Sequence, residues 1–165
     1  MSADLGPVLR TAGFALAHAA GSIQLGGTLC TLAIVVAEGQ HTLFRYEAPT
    51  IPDSIANAHE HLAGQIDDGA HGALVYDGFV TPTGGERSDA LVVEVLGPGA
   101  VVQGRLVQAY QPARRLGLPI VGCRFAGVGR PIIDESIEDG GAEAMVYDGA
   151  RDHPFGARLF GLPRK

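Results

Sequence analysis

One stretch of eleven residues, TLCTLAIVVAE (28–38), constrains the fold more than any other. From Leu32 to Ala37 it is apolar without alternation and rich in β-branched residues, so it reads as a strand buried on both faces. Gly39-Gln40 makes a turn. HTLFRYEA (41–48) then alternates, with Thr42, Phe44 and Tyr46 opposing Leu43, Arg45 and Glu47. Two strands joined this tightly can pair only antiparallel, and the second lies nearer to solvent.

The flanking segments follow the helical period. Residues 4–20 carry Leu5, Val8, Leu9, Ala12, Leu16 and Ala19 on one face, with Asp4 as the expected N-cap and Pro7 in the first turn. After Pro49 and Pro52, the segment PDSIANAHEHLAGQI (52–66) places Ile55, Ala58, Leu62 and Ile66 on one stripe, capped by Asp53 or Ser54. GALVYDGFV (72–80) and DALVVEVL (89–96) read as strands around the turn-rich TPTGGERS. Gly97-Pro98-Gly99 turns into AVVQGRLVQAY (100–110), and IVGCRF (120–125) reads as a last strand. A short acidic helix is expected over 132–138. The order is α-β-β-α-β-β-β-(β), and the turns between strands are too short for parallel crossovers. The expected fold is therefore α+β: one domain, with a mostly antiparallel sheet of five to six strands and two main helices packed on one face. The core is expected over 1–126. An acidic-then-basic extension, 127–165, docks on the core or on a neighbouring subunit. This order of elements resembles that of profilin-like and roadblock-type scaffolds, a likeness of topology that no motif carries.

Composition narrows the classes of function. The chain is 46% hydrophobic and only 18% charged, with a mean hydropathy of +0.17, and such a balance suggests apolar surface covered by a second copy, most simply a homodimer. Its net charge of −6 lacks the basic footprint of a nucleic-acid or anionic-membrane binder, so neither partner is expected. Lys165 is the only lysine, so Schiff-base or P-loop lysine chemistry is not expected. Cys30 and Cys123 sit in strand-like runs without Cys-x-x-Cys spacing, so reduced thiols are expected, with no metal and no cofactor. With no secretory leader pattern and no long apolar run, the expected location is cytoplasmic.

Two segments, IDDGAHGALVYDG (66–78) and IEDGGAEAMVYDG (137–149), match at eight of thirteen positions. The match does not extend into the preceding residues, so it reads as a repeated device in which an acidic turn feeds a strand that ends in a Gly-dependent kink. If the loop between the strands centres on Gly84 and Gly85, Val75 opposes Glu94 and Asp77 opposes Val92. Asp77 and Glu94 then share a face, next to Tyr76, within reach of one ligand. His59 and His61 lie on the helix expected above them. Two residues apart on a helix, these histidines point roughly 200° apart and cannot hold one ion together.

No catalytic motif assembles fully. The paired-carboxylate nuclease pattern needs Glu-x-Lys, where this chain has Glu94-Val95-Leu96. GPGAVVQG leads into a β-branched run and so makes a hairpin turn, not a phosphate loop. Gly-x-Ser-x-Gly and His-Glu-x-x-His are absent. The expectation leans away from an enzyme, toward a cytoplasmic, self-associating binding or accessory module with a protein partner. The alternative is a small metal-dependent or small-molecule-processing enzyme using Asp77 and Glu94, with Tyr76, His59 and His61 around them. For the interface, the expected anchors are Phe155, Leu159, Phe160 and Leu162, with Arg114 and Arg115 facing the acidic 134–148 segment.

Overall fold

The computed structural model describes residues 5–24, 26–81, 83–115, 120–121, 124–125 and 141–163. Asp4, Cys123 and the acidic helix expected at 132–138 lie outside the described residues. The elements are α1 (Gly6–Ile23), β1 (Thr31–Ala37), β2 (Gln40–Tyr46), α2 (Ile51–Ala63), β3 (His71–Val80), β4 (Ser88–Leu96), β5 (Val102–Gln111), the two-residue strands β6 (Arg114–Arg115), β7 (Ile120–Val121) and β8 (Arg124–Phe125), α3 (Ala142–Asp152) and α4 (Gly156–Leu159). The main sheet runs β2-β1-β3-β4-β5-β8, five long strands and a short sixth, with every neighbouring pair antiparallel. The fold is α+β, as the short turns require. Among the described residues, no helix is long and apolar enough to cross a membrane.

The β1–β2 turn is two residues, Glu38 and Gly39, with φ of 51° and 77°. Positive φ at both positions matches the twist of the flanking strands. Helix α2 starts one turn before the expected caps: Thr50 Oγ1 accepts from the Asp53 backbone N–H at 3.2 Å, and Asp53 and Ser54 are already helical.

The helices do not share one face. Leu32, Ile34, Val36, Val75, Leu91 and Val93 pack against α1, whereas Ala33, Val35, Leu74 and Leu96 pack with Ala58 and Leu62 of α2 on the opposite side. The reason is the opening stretch itself, since a strand apolar on both faces needs a cover on both. Helix α1 is in turn buried nearly all round, because α3 crosses its outer side. The crossing is backbone on backbone. A Cβ at Gly13 would overlap the Val146 carbonyl oxygen, and one at Gly149 would overlap that of Arg10.

The second copy of the repeat is therefore not a strand. Val146 to Gly149 are helical in α3, while Val75 to Gly78 lie in β3. Gly78 makes no kink either: the ladder continues through it opposite Ala90.

Candidate functional site

Strands β3 and β4 are joined so that Val80 pairs with Ser88, and the seven intervening residues have Gly84 at their tip with a φ of 74°. This register is one residue away from the expected one. Leu74 now opposes Glu94, and Asp77 opposes Leu91. Because side chains alternate with period two, the slip sends Asp77 and Glu94 to opposite faces of the sheet. They form no common site. Asp77 lies on the α1 side, where its Oδ1 accepts from Tyr110 Oη at 2.9 Å and from the Gly78 N–H at 3.1 Å.

Glu94 points to the α2 side and is 2% exposed. Three neighbours satisfy it. His59 Nε2 lies 2.7 Å from Oε2, and Tyr76 Oη donates to Oε1 at 3.1 Å. Arg105, its cross-strand partner on β5, reaches Oε1 through Nη2 at 2.9 Å and Nε at 3.0 Å. A buried carboxylate needs such company, since an unpaired one costs several kcal/mol. Burial, and after it the Glu94 charge, pushes the Tyr76 hydroxyl up to about 12. The phenol therefore remains a donor across the neutral range.

His61 is not part of this group. Its Nδ1 meets Tyr46 Oη at 2.8 Å, and its ring stands edge-on to Phe44 with centroids 5.0 Å apart, over β2. The helical spacing separates the two histidines as expected: His59 over β4, His61 over β2. Burial holds the Tyr46 hydroxyl up at about 12 as well.

No family model, curated protein or solved structure matches the chain. The site must be read from its own side chains. Glu94 is closed off from solvent, and the contact of its Oε2 with His59 fixes that ring. The other His59 nitrogen belongs to a side chain 31% exposed. Among the described residues, no three His, Cys, Asp or Glu side chains are placed to hold a metal ion.

The tail residues divide. Phe160 is 7% exposed and joins the core around α1, with Leu162 packed against it, whereas Phe155 is 50% exposed with the Arg158 guanidinium 5.9 Å from its ring. Arg114 and Arg115 form β6 opposite β7, and Leu159 closes α4; the acidic run they were expected to face lies mostly outside the described residues.

Sequence reasoning overlooked a second group. Four of the six histidines gather near Phe14: its ring is edge-on to His41 and to His153 at 5.5 and 5.0 Å, and His153 Nε2 lies 3.3 Å from His18 Nδ1. His71 Nε2 is 3.1 Å from Thr11 Oγ1. They come from four separate elements, so no local pattern links them, but pairing 41 across the hairpin with Val36 would have placed one. Finally, β2 pairs only with β1, and its outer edge has no strand partner among the described residues. Five of its seven residues are exposed, Leu43 at 41%.

Proposed function

We propose that the protein is a non-enzymatic, cytoplasmic binding or accessory module that self-associates through the outer edge of β2. The observation that carries this reading is the seven-residue edge strand itself, which bears an exposed Leu43 and no proline. A long open edge is a template for another strand unless charge, a bulge or a covering element blocks it; the charged side chain on this edge is Arg45, which pairing centred on Leu43 sets opposite His41 rather than another Arg45. Antiparallel pairing of two copies centred on Leu43 brings the two leucines together and makes one continuous sheet. The burial of Glu94 adds weight, because a general base must come within hydrogen-bond reach of its substrate.

Sedimentation equilibrium tests the reading. Over roughly 1 to 500 μM, the wild type is expected to move from monomer to dimer, and Leu43→Lys to remain monomeric with unchanged circular dichroism. A wild type that stays monomeric throughout, or a Leu43→Lys variant that dimerises equally well, overturns it.

One observation favours a second reading, an acid–base enzyme for small molecules: the 2.7 Å contact by which buried Glu94 fixes the half-open His59 ring. A carboxylate that orients an imidazole is the arrangement used to position a general base. That reading requires a substrate whose turnover His59→Gln abolishes and Leu43→Lys spares.

A further inference from the structure

On the α1 side of the sheet, Val36 of β1 has a histidine on each side: His41 across β2 and His71 across β3. Neighbouring strands are about 4.8 Å apart, so the two imidazoles rise from positions roughly 10 Å apart with Val36 as the floor between them. Helix α1 forms the roof. Thr11 Oγ1 donates to the Pro7 carbonyl at 3.1 Å, so its contact with His71 must be accepted from Nε2–H. Nδ1 of the neutral His71 ring is then left as an acceptor. These groups, with Phe14 as an apolar wall and Arg10 and Asp152 also lining it, form a half-open cavity of about 280 Å³.

We propose that this cavity binds a small organic monoanion: a carboxylate seated between His41 and His71, on an apolar body about the size of a phenyl ring. The volume admits a ligand of that size and is smaller than the space a drug-sized molecule occupies. Val36, Phe14 and Pro7 offer apolar contact to a hydrocarbon body, which an inorganic anion would leave unused.

Charge decides the sign. Three lining side chains can be positive, Arg10, His41 and His71, and Asp152 alone can be negative. Arg10 reaches Asp148 only at 3.8 Å, while Arg151 holds that carboxylate at 2.9 Å. Further out stand His18 on α1, Arg45 on β2 and His153 at the end of α3. Burial, followed by repulsion from His41, holds His71 below its ordinary value. An anion between the rings reverses that second cause, so binding takes up protons and tightens as the pH falls.

The test uses benzoate as the probe, benzamide as its neutral isostere and inorganic phosphate as a compact anion, followed through the imidazole signals of the full chain by NMR. The expected result is saturable movement of the His41 and His71 signals, with benzoate roughly tenfold tighter than benzamide or phosphate. Benzoate should also bind roughly tenfold tighter near pH 5.5 than near pH 8, with proton uptake measured by calorimetry in two buffers. His41→Gln changes an exposed edge residue and should weaken benzoate at least about fivefold without unfolding the chain. Absence of saturable movement overturns the proposal, as does benzamide or phosphate binding equally tightly, or affinity unaltered in His41→Gln.

Discussion

Gly149→Ala sets two known effects against each other. In a helix interior, alanine is favoured over glycine by about 1 kcal/mol, so propensity alone makes this variant more stable. The crossing of α1 and α3 opposes it, because the new methyl would overlap the Arg10 carbonyl, which is backbone within a helix and cannot rotate away. The two helices must separate by about an ångström, and such overpacking costs about 1–3 kcal/mol. If separation goes to completion, Val146 and Phe160, 1% and 7% exposed, lose their cover, at about 1.5–3 kcal/mol each. Net destabilisation of about 1 kcal/mol is expected if α3 stays docked, and about 3.5 if it detaches. Urea unfolding followed by circular dichroism reads this, since the chain has no tryptophan. Gly21→Ala is the matched control: it also lies in a helix, but its Cβ meets only Phe155 Cδ2 at an ordinary 3.5 Å, so it should be neutral or stabilising. A Gly149→Ala protein as stable as Gly21→Ala refutes the close crossing.

Two further outcomes follow from the polar groups. Glu94→Ala should cost about 2 kcal/mol, below the usual 3–5 for breaking a buried pair, because Arg105 is more than half exposed and can be solvated. A double-mutant cycle with Arg105→Ala should give a coupling of about 1 kcal/mol or more, and additivity would remove the ion pair from the account. The second concerns acid. Burial holds both His18 and His153 below the ordinary histidine value, with Arg45 adding to it at His18 and His18 adding to it at His153. A depressed histidine binds its proton better when unfolded, so its stabilisation is complete above about pH 6.5 and fades as pH falls through the folded value. Protease cleavage within α3 and α4 should therefore accelerate as the pH falls below about 6.5, and a His153→Gln protein should lose part of that dependence, the remainder staying with His18. A flat profile in the wild type argues against the pairing.

The strands were readable because β1 is apolar without a break and β2 alternates immediately after it. The β3–β4 register was not. Both strands are apolar on both faces from Ala73 to Val75 and from Leu91 to Val93, so periodicity cannot pin a loop of seven residues against one of six or eight. That single residue decided whether Asp77 or Tyr76 would join Glu94. The placement of helices on both sides was implicit in β1 and contradicted by the expectation of a one-sided sheet. The second Val-Tyr-Asp-Gly is a different case, since the same four residues are strand in β3 and helix in α3. What distinguishes the second is its packing on α1, more than a hundred residues away, where Gly13 admits the Val146 carbonyl and Gly149 admits that of Arg10. Tertiary contact outweighs local preference here.

The sandwiching of α1 also sets a timetable for biosynthesis. The helix that lies at the centre of the stack is made early, and the helix that covers its outer side begins about 120 residues later. At roughly 5–20 residues per second, the nascent chain carries an uncovered stripe of alanine, leucine and glycine for about 6–24 s. During that interval the sheet can cover only one side of α1, and the other side is open to chaperones or to a second nascent chain. The outer side of α1 is thus covered only once α3 has left the ribosome, and truncation before α3 should yield a protein that is made but held by the quality-control machinery.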